Sequence, residues 1–117
     1  MNREIKFRVW FPNHDKMWFT DMFHMKHLIR KENRKDYPIM QYTGLKDKFG
    51  KEIYEGDILE FYDASYDKWI SREVYFDTEM LGFGLRQTNS LFHCQFSSEF
   101  ELKGNIYENP ELLRKED

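Results

Sequence analysis

The chain is 117 residues long, carries a formal net charge of −3, and draws 18% of its residues from Phe, Trp and Tyr. This length fits one domain, 1–117, with a single core. A lone alanine and many aromatic residues argue against a helical bundle and favour strands. The one cysteine, Cys94, excludes an intramolecular disulfide.

The sequence contains no apolar run near the roughly 20 residues of a transmembrane helix. Alternation starts at once near the N-terminus, without the apolar stretch of a signal peptide. We therefore expect a cytoplasmic protein with no membrane partner.

Charge is distributed unevenly along the chain. Residues 1–36 carry nine Lys/Arg against five Asp/Glu, a net of +4, and residues 37–117 carry nine against sixteen, a net of −7. Folding that brings the two parts together would cancel most of this difference. The alternative is a basic face that meets an acidic partner or nucleic acid.

The first third of the chain predicts a hairpin and then an ambiguous segment. Apolar and polar residues alternate over 5–10, which predicts a half-buried strand, and the turn residues of 12–16 lead to a return strand at 17–20. Apolar residues at helical spacing predict a helix over 22–31 that caps one end of the fold. A strand followed by a long polar loop is the alternative for this segment.

The rest of the chain predicts short strands separated by glycine and charged turns. A turn falls at 46–51, and a short helix begins after Asn109, whose side chain is expected to cap it. The segment 91–96 is either a strand or a loop packed by its aromatic side chains. The remaining predicted strands are 37–43, 57–63, 69–76, 81–85 and 100–107.

Six or seven such strands predict a mainly β fold. The expected architecture is a small pseudo-barrel or a strongly curled antiparallel sheet, with a capping helix and a short C-terminal helix.

Candidate metal and nucleophile residues are sparse. His24 and His27 would share a helix face, and with His93 and Cys94 they would make a four-ligand set. The chain lacks a paired Cys-x-x-Cys, so surface or partly buried histidines are the better interpretation. Cys94 and His93 are adjacent and would point to opposite faces of a strand, which favours a structural cysteine over a nucleophile.

The carboxylates Glu52, Glu55 and Asp57 cluster around a glycine, and a solvated turn is favoured there over an acid–base pair. We therefore expect no enzyme, no catalytic residues, no metal and no cofactor.

Aromatic and methionine side chains near the N-terminus favour a protein-interaction surface. Their number exceeds what one small core buries, and the surplus would bind another protein or form a homo-oligomer. The candidate interface residues are Trp10, Trp18, Met22 and Met25.

The alternative function is binding of nucleic acid by a small β-barrel. Lys6, Arg8 and Trp10 lie on one face of the first predicted strand, and further basic and aromatic residues follow nearby. Such interleaving is typical of proteins that stack bases within a basic groove. A pI near 5.8 argues against a protein that works mainly by phosphate attraction. The candidate residues are Lys6, Arg8, Trp10, Lys31, Arg34 and Lys35.

Three blocks of sequence, 3–10, 41–58 and 104–113, together resemble the YopX family, small proteins of phages and prophages. Their order and spacing match the family, although Phe49 departs from the polar residue expected before Gly50. The resemblance implies a β pseudo-barrel with a capping helix and an accessory protein in the cytoplasm of a bacterial host. It implies no activity and no site residues.

Overall fold

The chain folds into eight strands and one short helix across the residues that the computed structural model describes, which are 4–21, 37–64, 66–79, 81–86 and 99–114. The elements are β1 (Lys6–Phe11), β2 (Lys16–Asp21), β3 (Ile39–Lys46), β4 (Glu52–Tyr54), β5 (Asp57–Asp63), β6 (Lys68–Asp77), β7 (Gly82–Leu85), β8 (Glu101–Asn105) and α1 (Glu111–Arg114).

The strands form two antiparallel four-stranded sheets. Sheet 1 has the order β2-β1-β3-β4, and sheet 2 has the order β7-β6-β5-β8. The prediction of a mainly β fold with a strongly curled antiparallel sheet is confirmed, and so is the short C-terminal helix. The predicted capping helix at 22–31 and the ambiguous segment 91–96 lie outside the described residues.

Alternation of side chains explains the first hairpin. In β1 and β2 the registers Phe7–Thr20, Val9–Trp18 and Phe11–Lys16 put these side chains on one face of sheet 1. The turn between the strands includes Asp15 at φ 49°, a left-handed conformation that Asp tolerates better than most residues. The predicted hairpin is thereby confirmed.

Strand β4 is the element that the sequence did not predict. It spans only Glu52–Tyr54 and lies between Gly50 and Gly56, both with positive φ. Three residues are too few to display a period-two pattern, so the sequence predicts only a turn there. Pairing with β3 makes it a strand, across a bulge between Tyr42 and Lys46.

The core lies where the two sheets meet. Ile53 from β4 packs with residues of β5 and β6, so the short strand contributes directly to the interior. The buried cluster consists of Ile53, Leu59, Val74, Leu85 and Phe100, with Leu45, Phe61 and Leu102 packed against it.

Candidate functional site

A buried ion pair between the first and second family blocks connects sheet 1 to sheet 2. Nη2 of Arg8 lies 2.8 Å from Oδ1 of Asp57, and both side chains are almost fully buried. The same Nη2 donates to the carbonyl of Glu55 at 3.0 Å, and the guanidinium stands 5.0 Å from the ring centroid of Tyr54. These contacts satisfy the guanidinium inside the protein, where an unpaired charge would be very costly.

The Asp57 carboxylate is held by two kinds of donor. Its Oδ2 accepts the backbone N–H of Tyr54 at 2.7 Å, while Arg8 engages its other oxygen. Burial raises the pKa of Asp57 to about 6, and the attraction of Arg8 and the bond from Tyr54 offset only part of that effect. This pair joins β1 to the start of β5.

Gly56, between β4 and β5, allows the two sheets to approach closely. Its φ is +85°, and a Cβ there would lie 3.0 Å from Sδ of Met40. The Gly56 N–H donates to the carbonyl of Val74 at 2.8 Å, and its own carbonyl accepts from Ile106 at 2.9 Å. Gly56, in the second family block, therefore has a structural role where the two sheets meet.

Asp47 organises the turn between β3 and β4 and ties it to β8. Its Oδ1 accepts the N–H groups of Phe49 and Lys51, and its Oδ2 accepts that of Leu102, each at 2.9 Å. Burial alone would raise the pKa of Asp47, but these three backbone donors outweigh it and lower the pKa below its ordinary value. The turn uses the backbone of Phe49 and leaves its side chain exposed, which explains how a phenylalanine fits there.

The third family block forms a turn before α1 that is held by hydrogen bonds among its own residues. The side-chain oxygen of Asn105 accepts the N–H groups of Tyr107 and Glu108 at 3.0 and 2.9 Å. The Asn109 side chain reaches back to accept the N–H of Asn105 at 3.3 Å. A Cβ at Gly104 would lie 2.4 Å from that Asn109 oxygen, so only glycine fits.

All three candidate carboxylates, Glu52, Glu55 and Asp57, form ion pairs or hydrogen bonds within the protein. Glu52 is paired with Lys6, and the Glu55 side chain accepts the backbone N–H of Gln41 at 2.9 Å. Asp57 is held by Arg8 as described. Burial raises the pKa of Glu55, opposed by the Gln41 bond and by the charge of Arg8.

No group of three His, Cys, Asp or Glu side chains that could hold a metal ion occurs among the described residues. His24, His27, His93 and Cys94 lie outside them. No helix in the described part of the chain has the length and apolar character needed to cross a membrane.

Three of the six candidate residues of the basic face lie in the described part of the chain. Lys6, Arg8 and Trp10 do share one side of β1, but that side is covered, and Arg8 is paired internally with Asp57. Lys6 is partly exposed and contacts Glu4 and Glu52. The remaining candidates, Lys31, Arg34 and Lys35, lie outside the described residues.

Two of the four candidate interface residues, Trp10 and Trp18, lie in the described part of the chain. Trp10 is buried and stacks on Tyr107 with ring centroids 5.8 Å apart, because β1 runs beneath the turn that follows β8. Trp18 is 56% exposed on β2. Met22 and Met25 lie outside the described residues.

A second exposed group of aromatic side chains, the hairpin aromatic cluster, was not predicted. It comprises Tyr62 and Trp69, which face each other across β5 and β6, and Tyr66 in the turn between them. The rings of Tyr62 and Trp69 meet edge to face at 5.5 Å, and the three side chains are 46%, 58% and 71% exposed for Tyr62, Trp69 and Tyr66. The opposite face carries Phe61 and Ile70 into the interior, so alternation along the strands holds the hairpin aromatic cluster outward.

The comparisons with known proteins agree with this architecture. The sequence model of the YopX protein family matches residues 6–114. The chain is also similar to the crystal structure of protein EF1440 from Enterococcus faecalis, with 25% sequence identity and a TM-score of 0.66, over 96% of this chain and 99% of that one. The comparison with curated proteins found no match.

Proposed function

The chain belongs to the YopX protein family, and from this premise we propose that it is a non-catalytic phage or prophage accessory protein that binds a protein partner through the hairpin aromatic cluster. The observation that supports the proposal is the exposure of Tyr62, Tyr66 and Trp69 on a two-stranded hairpin. Polar side chains of the family blocks, among them Arg8, Asp47 and Asp57, make contacts that hold the fold together.

Rigid aromatic side chains suit a binding hot spot. Tyr and Trp provide large contact areas with few rotatable bonds, and they are enriched among the residues that dominate protein interfaces. In this hairpin Tyr62 also contacts Asp67, and the edge-to-face contact with Trp69 restrains both rings. The side chains are therefore positioned before a partner arrives.

Charge around the hairpin aromatic cluster defines the partner's chemistry. Asp63 and Asp67 lie at the end of the hairpin, and Lys68 is the basic residue beside them. A complementary protein surface would offer an apolar pocket with a basic rim. The same carboxylates oppose a phosphate backbone, so this surface favours protein over nucleic acid.

The test is co-purification from host cells carrying the induced phage, followed by binding measurements with the purified candidate partner. Trp69→Ser should weaken that binding at least about tenfold, as expected for the loss of an aromatic hot spot. Phe49→Ser is the matched control, because Phe49 is 65% exposed on a different turn. Equal losses for the two variants would contradict the proposal.

Nucleic-acid binding is distinguished in the same experiment. A complex with nucleic acid would disappear after nuclease treatment and weaken steeply with salt, whereas an apolar protein contact would persist. The prediction of no enzymatic activity stays a prediction, which a search for turnover of the identified partner would check.

A further inference from the structure

We propose that two copies of this chain form a two-fold symmetric dimer by antiparallel pairing of β2 with β2, with Trp18 of each copy facing Trp18 of the other. Within the described part of the chain, β2 is an end strand of sheet 1 and pairs on one side only, with β1. An end strand presents unpaired backbone groups that can be completed by a second strand. This surface is separate from the hairpin aromatic cluster, so the inference stands independently of the proposed function.

The hydrogen-bond directions of sheet 1 show which backbone groups lie on the outer edge. The N–H of Trp10 donates to the carbonyl of Pro38 at 3.0 Å and therefore points toward β3. Successive backbone groups along a strand point to opposite sides, so Val9 points toward β2 and forms a hydrogen-bonded pair with Trp18. The backbone groups of Met17 and Phe19 must then point outward.

Symmetry leaves few registers for pairing β2 with its copy. A two-fold axis perpendicular to an antiparallel sheet passes between a residue and the same residue of the other copy. With the axis at Trp18, the outward groups of Met17 meet those of Phe19 of the second copy, and the Trp18 pair is non-hydrogen-bonded. Side chains approach most closely at such positions.

The composition of β2 favours this register over its neighbour. It sets Trp18 against Trp18, and Met17 against Phe19, a favourable sulfur–aromatic pair, so every apolar side chain of the strand meets an apolar one. With the axis at Phe19, Met17 would instead face the carboxylate of Asp21. In this register Lys16 lies opposite Thr20 of the second copy, so the argument for the register rests on the apolar pairs at its centre.

The exposed area sets the strength of the dimer. An aromatic side chain buries about 150–250 Å² when enclosed, so the exposed halves of Trp18 and Phe19 in two copies offer on the order of 400 Å². Stable specific interfaces bury about 1,200–2,000 Å². The pairing therefore belongs with weak associations, and the dimer forms at high protein concentration.

Sedimentation analysis of the full chain over about a hundredfold concentration range, reaching about 1 mM, tests the dimer. We expect a monomer–dimer equilibrium that Trp18→Lys weakens at least about tenfold, because two lysines would then face each other across the axis. Trp69→Lys is the matched control, since Trp69 is 58% exposed on the other sheet. A monomer at every concentration, or equal weakening by both variants, would overturn the proposal.

Oxidative cross-linking tests the register directly, in a Cys94→Ser background. Trp18→Cys should form a disulfide between copies, because Cβ atoms at a facing non-hydrogen-bonded pair lie about 4.5–5.5 Å apart. Phe19→Cys should cross-link far less, since the two introduced side chains would be diagonal neighbours about 7–8 Å apart. The reverse preference would place the axis at Phe19 and overturn the proposed register.

Discussion

Asp47 is the side chain whose loss should cost the most stability in the turn between β3 and β4. Its two oxygens accept three backbone N–H groups, including one from β8. Asp47 is 5% exposed, although its neighbours in the turn are exposed. Asp47→Ala leaves three partly buried donors without their acceptor, so we expect the free energy of unfolding to fall by about 2 kcal/mol. Urea denaturation measures the change.

The control is Asp77→Ala. Asp77 accepts the N–H of Glu79 in an exposed turn and the hydroxyl of Tyr75 at 3.3 Å. Water can reach both donors more easily than those of Asp47, so we expect a loss below about 1 kcal/mol. If the two variants lost equal stability, Asp47 would not connect the turn to β8 as described.

Asp57 gives the protein a specific dependence on pH. Its pKa rises from 3.8 to about 6 in the folded protein, mainly because of burial, so the folded state binds the proton more tightly than the unfolded chain. The folded protein then carries more protons between pH 3.8 and 6, and the stability contributed by Asp57 falls as pH rises through that window. A shift of this size corresponds to about 3 kcal/mol.

Asp57→Asn isolates this contribution, because asparagine does not titrate. We subtract the variant's free energy of unfolding from that of the parent, and we expect this difference to fall by about 2.4 kcal/mol between pH 4 and pH 7. Denaturation series at several pH values measure it. A difference that stays flat, or rises with pH, would contradict the assignment.

Alternation in β1 predicted correctly that Lys6, Arg8 and Trp10 share a side, but it did not predict what covers that side. Period two assigns residues to faces of a strand and carries no information about contacts distant in sequence. The residues that cover Arg8 and Trp10 are Asp57 and Tyr107, far along the chain. A buried arginine therefore resembled an exposed one in the sequence.

The exposure of the hairpin aromatic cluster could not be predicted from the sequence, for a related reason. Phe61 and Tyr62 follow one another in β5, as Trp69 and Ile70 do in β6, so polarity does not separate the two faces. Ile70 and Val74 are buried on the inner side of β6, whereas Phe76, in the same phase of the strand, is 40% exposed. The signal that could have revealed the outward pair was the phase set by these two aliphatic residues.

At the scale of the element, the strands were well predicted where alternation or turn residues marked them, and β4 was missed because it was too short.

The turn into β7 has a further feature that sequence patterns do not predict. Leu81 adopts φ 54° and is 78% exposed, so a bulky side chain occupies a left-handed conformation without packing to compensate.

Leu81→Asn should therefore stabilise the protein. Asparagine tolerates the left-handed region, and little apolar contact is lost at so exposed a position, so we expect about 0.5–1 kcal/mol of added stability. Thermal unfolding would show a higher midpoint. Leu81→Ala keeps the strained backbone and should leave stability nearly unchanged; an equal gain from alanine would assign the effect to the side chain's exposure instead.

At the scale of the whole molecule, the uneven charge of the sequence is partly reconciled by contacts between its two parts. Lys6 and Arg8, from the basic N-terminal third, pair with Glu52 and Asp57 from the acidic remainder. The expectation that folding brings opposite charges together is thus met by these two pairs. They also lie at the junction where sheet 1 passes into sheet 2.

From the contacts at this junction we predict that the two sheets unfold together. Arg8 reaches Asp57, Gly56 bonds to Val74, and Asp47 bonds to Leu102, so neither sheet can separate without breaking buried polar contacts in the other. The main core is likewise built from both sheets. A domain connected in this way should unfold in one cooperative transition.

Tryptophan fluorescence can follow each sheet separately during urea unfolding. A Trp69→Phe variant leaves Trp10 and Trp18 as reporters of sheet 1, and a Trp10→Phe, Trp18→Phe double variant leaves Trp69 as the reporter of sheet 2. In each variant the fluorescence midpoint should coincide with the midpoint from far-ultraviolet circular dichroism, because every probe follows the same two-state event. A sheet 2 signal that changes before the circular dichroism signal would mean that the contacts of Arg8, Gly56 and Asp47 do not couple the sheets, and that each sheet is stabilised by its own side of the core.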